Sequence, residues 1–429
     1  MNAPSSLSPD TRSTLADAFR AVRSHTSALA ATLGPEDQSV QSMPDASPTR
    51  WHQAHTTWFF ERLVLEPHAD RYRVFDARFF ELFNSYYEAL GPRHPRPQRG
   101  VLSRPTQTEV GAYRAHVDDA IIRFVQDAAP ATLAAALQTL VLGLHHEQQH
   151  QELLLTDIKH AFAQNLLRPV WRDAAHRKEM LAPPLRWQSF DGGLVKTGHD
   201  PDQGFGFDNE GPRHQVWLDP YQLADRPVTV GDYQHFIADG GYRRPEFWLS
   251  EGWSLVQNEG WTAPLYWEPS ADGEPGCFTL HGWRPLEAGT PVCHVSYHEA
   301  VAYAAWAQAR LPTEAEWENA AGSGQVSHRH DLDEMHPSLQ RAKPAGILRA
   351  LFGEVWEWTS SPYAAYPGFR PWSGAASEYN GKFMVNQLVL RGGSCATPPG
   401  HLRGSYRNFF PASARWQFSG LRLARDLPP

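Results

Sequence analysis

The stretch Leu142-Gly-Leu-His-His-Glu-Gln-Gln-His-Gln-Glu-Leu153 decides how the first part of the chain is read. At about 100° per residue, Leu142, His146, Gln149, His150 and Leu153 share one helix face, with the two imidazoles about 40° apart. They occupy the stripe that would otherwise be core. Apolar periodicity extends this helix from about Ala131 to Phe162. Outward from it, Leu15, Phe19 and Val22 recur at helical spacing after Asp10, a good N-cap. Trp51, His55, Trp58, Phe59 and Leu63 share a stripe of a helix starting near Ser47-Pro48. Phe75, Phe79, Phe80 and Phe83 predict another, ending at Gly91-Pro92, and one more follows Pro105 through Ile121, Ile122 and Val125. Long amphipathic helices joined by short connections predict an up-and-down bundle over residues 10–165, after a flexible N-terminus at 1–9.

Beyond a charged, proline-containing connector at 166–185 the grammar changes. Trp, Gly, Pro and Asn dominate, in short alternating runs such as Val216–Leu223 and Val389–Arg391. Helices are predicted at Val230–Asp239 and Ser296–Gln308. Residues 186–429 are therefore expected to form an α+β domain with irregular, aromatic-anchored backbone. The whole is a multidomain α and α+β chain, as 429 residues, 41% hydrophobic and 20% charged, also suggest.

Charge and cysteine content exclude some partners. With 39 basic and 47 acidic side chains the net charge is −8, which argues against nucleic acid or an anionic membrane. Three cysteines cannot build a disulfide framework and fit a reducing compartment. No run approaches the roughly 18 apolar residues of a membrane span, and the N-terminus lacks a secretory apolar core. A cytoplasmic protein is expected.

The histidines carry the chemistry. His55 sits among aromatics on its stripe as His146 and His150 sit on theirs. Each alone could be a core histidine satisfied by hydrogen bonds. Three buried imidazoles without a shared partner would each cost about 1–3 kcal/mol in desolvation. A divalent metal removes that cost, and facing bundle helices commonly hold one. His55, His146 and His150 are therefore assigned as metal ligands. Three imidazoles suit Zn, Fe, Cu or Ni, and the open positions favour a catalytic metal. Spacing leaves hydrolytic zinc and ferrous oxygen chemistry both open.

Further motifs resemble a known family. Trp51-His-Gln-Ala-His55 with Trp58-Phe-Phe-Glu61, and His146-Glu-Gln-Gln-His150-Gln-Glu152, resemble the iron-binding segments of ergothioneine-biosynthesis sulfoxide synthases. Phe207-Asp-Asn-Glu-Gly-Pro-Arg-His214, Leu311-Pro-Thr-Glu-Ala-Glu-Trp317, Gly353-Glu-Val-Trp-Glu-Trp358 and Leu390-Arg-Gly-Gly-Ser394 resemble the formylglycine-generating-enzyme-like (sulfatase-modifying-factor) fold, a variant of the C-type lectin fold. The resemblance runs from about residue 10 to 426, a DinB-like four-helix bundle followed by this domain. It implies that Fe(II), held by the three histidines, joins the sulfur of a thiol to the imidazole of trimethylhistidine (hercynine), using O2 and leaving a sulfoxide. It also implies Trp51 and Phe409 as aromatic wall for the quaternary ammonium, Gln149 as contact to the substrate imidazole, and Asn408 as a holder of the headgroup.

Departures from the family pattern bear on the thiol. Members that use γ-glutamylcysteine carry an Asp and an Arg where this chain has Phe410 and Ala414. Their catalytic tyrosine, after a Pro-Gly-Phe-x-Pro stretch, has Gly374 near its position here. In its place stand Tyr86 and Tyr87, followed by Arg93 and Arg96. The resemblance thus points to the branch that uses free cysteine, with Arg93 and Arg96 binding the carboxylate, Phe410 lining the thiol side, and Tyr87, with Tyr86 beside it, as proton donor. The alternatives are γ-glutamylcysteine or an ovothiol-type histidine substrate, a DinB-type metal-dependent thiol transferase, and a C-terminal half that makes formylglycine or binds carbohydrate. Cys277, Cys293 and Cys395 do not supply the close cysteine pair that formylglycine formation needs.

Overall fold

Two units make up the chain: Met1–Leu167 with Trp372–Tyr379, and Arg168–Pro371 with Asn380–Pro429. The computed structural model describes residues 9–175, 181–270, 272–322, 326, 330–340 and 348–427. Most of the N-terminal stretch expected to be flexible, and residues 176–180 of the expected connector, lie outside them.

The first unit is built on four long helices, α1 (Pro9–Ala30), α2 (Thr49–Phe60), α3 (Gln107–Asp127) and α4 (Pro130–Gln164). Thr106 and Glu109 close a capping box at the start of α3. Pro130, with its φ preset and no N–H to satisfy, opens α4. α2 runs on into a π-helical turn, Glu61–Leu65. There Glu61 accepts hydrogen bonds from Tyr113 Oη (2.6 Å), Tyr72 Oη (2.7 Å) and the Phe75 amide (2.9 Å). A polar knot also ties the helices together. The buried Glu147 carboxylate on α4 receives Arg23 Nη1 (2.8 Å), Thr26 Oγ1 (2.6 Å) and Arg114 Nη2 (3.2 Å) from α1 and α3.

α2 approaches α4 closely at Gly143, where a Cβ would stand 2.5 Å from Phe60 Cε1. Gly143 lies one turn before His146, so this contact sets how near the two histidine stripes come. Gly143→Ala should cost about 1–3 kcal/mol by overpacking, read as a lower midpoint of chemical unfolding. An unchanged midpoint would show that the helices separate freely there.

The predicted helix over Phe75–Phe83 is corrected. Only one turn forms, Phe79–Leu82, and a 3-10 turn follows at Glu88–Leu90. The Asn84 side chain substitutes for helical bonding: it accepts from the Tyr87 amide (3.1 Å) and donates to the carbonyls of Tyr87 (3.0 Å) and Gly91 (3.1 Å). The phenylalanine periodicity is satisfied by ring packing, Phe75 and Phe79 each lying 5.1–5.2 Å from the Tyr113 ring.

The second unit has short strands and short, strongly capped helices. β1 (Trp187–Phe190), β4 (Tyr221–Ala224) and β12 (Ala424–Asp426) form an antiparallel sheet in the order β1-β4-β12. β2 (Gly193–Thr197) and β3 (His214–Leu218) form an antiparallel pair, and β5 (Trp267–Pro269), β6 (Pro275–Thr279) and β7 (Gly282–Pro285) a third sheet. β8 (Trp356–Pro362), β9 (Leu388–Arg391), β10 (Asn408–Phe410) and β11 (Ser419–Gly420) order as β10-β9-β8-β11, with β11 parallel to β8. The two predicted helices are α5 (Val230–Ala238) and α7 (Tyr297–Trp306); α6 (Ser250–Glu259) and α8 (Glu314–Ala321) join them. Capping boxes Thr229/Asp232, Ser296/Glu299 and Thr313/Glu316 start α5, α7 and α8.

Buried arginine–carboxylate pairs anchor the irregular backbone of this unit: Arg422 with Glu357 (2.8 Å), Arg407 with Glu314 (2.8 Å), Arg415 with Glu299 (2.9 Å) and Arg391 with Glu318. The adjoining glycines follow from close packing. Gly392 has φ +101° and a Cβ there would meet Leu351 O at 2.6 Å; at Gly393, φ +81°, it would meet Leu402 Cδ2 at 2.2 Å. Among the described residues no helix is long and apolar enough to cross a membrane.

Candidate metal centre

His55 on α2 and His146 and His150 on α4 bring one ring nitrogen each within 4.8 Å of one another. Their ring centroids are 4.6–4.9 Å apart, and His55 Nε2 lies 3.2 Å from His146 Nε2. His55 and His146 are buried and His150 is half-buried. The orientation of His55 is fixed on its far side: Nδ1–H donates to the Phe83 carbonyl (2.6 Å), leaving an Nε2 lone pair for the cluster. Indoles brace it on both sides, Trp51 stacked at 4.5 Å and Trp58 at 5.6 Å.

Electrostatics keep these rings neutral. Burial first, then the neighbouring His146, pushes His55 well below the usual imidazole range. Burial brings His146 down to about 3, and burial with the other histidines holds His150 well below its ordinary value. Three uncharged imidazoles with converging nitrogens, two of them at hydrogen-bond distance, form a donor set that fits a divalent transition metal. Among the described residues His146 Nδ1 is buried without a partner, so burial of this ring is poorly compensated unless its other nitrogen is used. The cluster can hold a metal ion.

The other residues singled out from the sequence fall in three places. Trp51 is part of the cluster wall. Gln149, on α4, accepts a hydrogen bond through Oε1 from Tyr379 Oη. Tyr87 is fully buried, stacked on Tyr86 at 4.6 Å and 5.6 Å from Trp58. Burial, then Tyr86, Tyr379 and Glu378, raises its pKa well above the ordinary phenol value, so it keeps its proton. Arg93 and Arg96 are half-exposed. Arg93 donates to the Ser85 carbonyl (2.9 Å) and pairs with Glu88 (3.0 Å), and Arg96 donates to the Asp45 carbonyl. Asn408, Phe409 and Phe410 belong to the second unit, on β10. Phe409 stacks on Tyr363 at 3.9 Å, Phe410 lies 6.1 Å from Trp416, and Asn408 Oδ1 accepts from the Phe409 amide (2.9 Å).

Arg99 and Tyr379 also lie near the cluster and were not singled out from the sequence. Arg99 is 3% exposed and its guanidinium lies 3.4 Å over the Trp51 ring. It donates to Ser47 Oγ (2.9 Å) and Ser85 Oγ (3.2 Å) but, among the described residues, pairs with no carboxylate; Nε has no partner. Burial, then Arg96, brings it down to about 8. Tyr379 arrives from the segment Trp372–Tyr379, which folds with the first unit. Its ring lies 5.8 Å from His146, and Glu378 accepts from the amides of Glu88 (3.1 Å) and Ala89 (2.9 Å). Gly374 stays in the 3-10 turn Gly374–Glu378, so the phenol that reaches the cluster comes five residues later than the family spacing implied. Arg99 had a signal, a third arginine at i+3 from Arg96. Tyr379 had none.

Comparisons with known proteins agree with this architecture. Residues 18–154 match the DinB superfamily and residues 187–427 the sulfatase-modifying factor enzyme 1-like domain. A hercynine oxygenase of Mycolicibacterium smegmatis is 32% identical over 97% of this chain and 99% of its own length. That of Mycolicibacterium thermoresistibile is 32% identical over 90% and 88%. A formylglycine-generating enzyme of Streptomyces coelicolor is 31% identical over 52% of this chain and 81% of its own. With both of its halves matched in order, and with relatives aligned nearly end to end, the chain belongs to the hercynine oxygenase family, a DinB-type bundle joined to a sulfatase-modifying-factor-like domain.

Proposed function

We propose that this chain is a non-haem Fe(II)- and O2-dependent sulfoxide synthase that joins the sulfur of L-cysteine to the imidazole of trimethylhistidine. The observation that carries the reading is the convergence of three neutral imidazoles, two buried and one half-buried, in a chain of the hercynine oxygenase family. The reaction balances as thiol plus imidazole C–H plus O2 giving the C–S sulfoxide and water: forming the C–S bond and oxidising sulfur each release two electrons, and O2 takes all four.

His55, His146 and His150 would hold the iron. When bound there, it supplies binding positions for thiolate and imidazole and the redox chemistry with O2. The chain's own residues do the rest. Trp51, Trp58 and Phe59 exclude water on the bundle side, with the Phe59 ring 4.6 Å from His146. Arg99, a buried cation with no direct ion pair among the described residues, suits a substrate carboxylate, and Arg93 and Arg96 add positive potential on the same stretch. Gln149, held by Tyr379, is placed to accept from the substrate imidazole. Tyr87, kept protonated by burial, donates a proton to reduced oxygen. Free cysteine is the preferred thiol, because Phe410 and Ala414 replace the charged pair a larger thiol would need.

Anaerobic loading with Fe(II), then thiol, trimethylhistidine and O2, tests the class. The expected product has the mass of both substrates, less two hydrogens, plus one oxygen, and forms faster with cysteine than with γ-glutamylcysteine. No such product overturns the reaction; a reversed preference overturns the thiol assignment alone. Tyr87→Phe should lower sulfoxide yield by about 10²–10⁴-fold, as loss of a general acid does, with thiol oxidation taking its place. A wild-type yield in Tyr87→Phe, and loss in Tyr379→Phe, would move the acid to Tyr379.

A further inference from the structure

Behind His150 runs a chain of hydrogen bonds that the reaction as proposed does not use. His52, on α2 one turn before His55, places Nδ1 2.8 Å from His150 Nδ1. Its other nitrogen, Nε2, lies 3.0 Å from Asp157 Oδ2, which comes from α4 two turns after His150. The same carboxylate oxygen accepts from the Ser47 amide at 2.8 Å, just before α2 begins. His52 is 3% exposed and Asp157 5%, so water does not compete for these bonds.

With both rings uncharged, the protons in this chain have one consistent arrangement. A carboxylate only accepts, so His52 Nε2 must donate to Asp157. That leaves the lone pair of an uncharged ring at Nδ1. Two nitrogens 2.8 Å apart need one donor and one acceptor, so His150 Nδ1 carries the proton. The His150 lone pair is thereby left on Nε2. The opposite tautomer of His150 would point N–H at the cluster and forfeit a ligand.

We propose that His52 and Asp157 are positioning residues that fix the tautomer of His150 and strengthen it as a metal ligand. The proposal rests on the metal-centre reading. An imidazole that donates to a second acceptor is a better electron donor through its other nitrogen. The three ligand rings are thus held differently: His55 by a backbone carbonyl, His150 by a carboxylate-backed histidine, and His146 by packing, its Nδ1 unpartnered.

Metal affinity of the full chain, titrated anaerobically with Fe(II) and with Co(II) as a spectroscopic probe, tests it without reference to turnover. His52→Leu removes the acceptor and should weaken binding about 10–100-fold, the usual effect of losing an outer partner. His52→Asn restores an acceptor oxygen where Nδ1 stood and should recover most of that loss. Asp157→Asn keeps an oxygen for Ser47 and His52 but removes the charge, and should fall between His52→Leu and the wild type. His150→Ala separates the two levels. If it binds metal like the wild type, the metal-centre reading fails and the proposal with it. If it loses the metal while His52→Leu keeps wild-type affinity, the proposal alone is overturned. Equal loss in His52→Leu and His52→Asn would reduce His52 to a packing role and also overturn it. Should His52→Leu not fold, wild-type affinity in Asp157→Asn is the overturning result.

Discussion

His146→Ala should leave a folded protein that no longer binds Fe(II) and, on the proposed function, no longer makes sulfoxide. The ring is central: its nitrogen is 3.2 Å from His55 Nε2 and its centroid 4.6 Å from that of His150. Losing it leaves two imidazoles, too few to hold a labile ferrous ion at working concentrations. The loss in affinity should therefore exceed the roughly 10–100-fold expected for an outer partner. Helix α4 survives because alanine is the best helix former and the ring's Nδ1 makes no hydrogen bond that folding needs. Fe(II) titration and far-UV circular dichroism on the same sample check both halves. Stoichiometric iron binding at wild-type affinity would place the metal elsewhere.

At the next residue the consequence is the opposite. Glu147→Ala should destabilise the bundle by about 3–5 kcal/mol, because it strands two buried guanidinium groups. Arg23 and Arg114 both donate to this carboxylate, at 2.8 Å and 3.2 Å, and Thr26 donates to it as well. Arg23 retains Asp118 at 2.7 Å, so Arg114 is the more exposed to the loss. Equilibrium denaturant unfolding measures it; a change within about 0.5 kcal/mol, the range of an ordinary surface substitution, would mean that water reaches the site. The pH dependence has a definite sign. Burial alone would raise the Glu147 carboxyl, but Arg23 and Arg114 hold it at about 2. Its stabilisation is complete above the ordinary carboxylate pKa of 4.5 and is lost as pH falls toward 2.

These neighbours show what local pattern can and cannot carry. His146 and His150 were legible because an i, i+4 pair is a property of one helix, independent of everything it packs against. His55 was legible for the same reason, as a ligand type on an aromatic stripe. The four-phenylalanine pattern obeyed the same rule and misled. There the side-chain amide of Asn84 outcompeted helical bonding over Tyr87–Gly91, while the rings still packed as a helix face would have placed them.

By itself, then, the amino-acid order determined the helical bundle, the second domain's class, the three histidines that cluster and the family, all through short-range periodicity and ordered motifs. Tertiary structure alone decided the surroundings of those histidines. Tyr379 meets Gln149 across 230 residues of chain, and Asp157 reaches His52 across 105. Arg99 becomes a buried cation only because its 3-10 turn lays it on Trp51. Such contacts depend on how loops close and on what each burial displaces. Periodicity within one element therefore does not encode them.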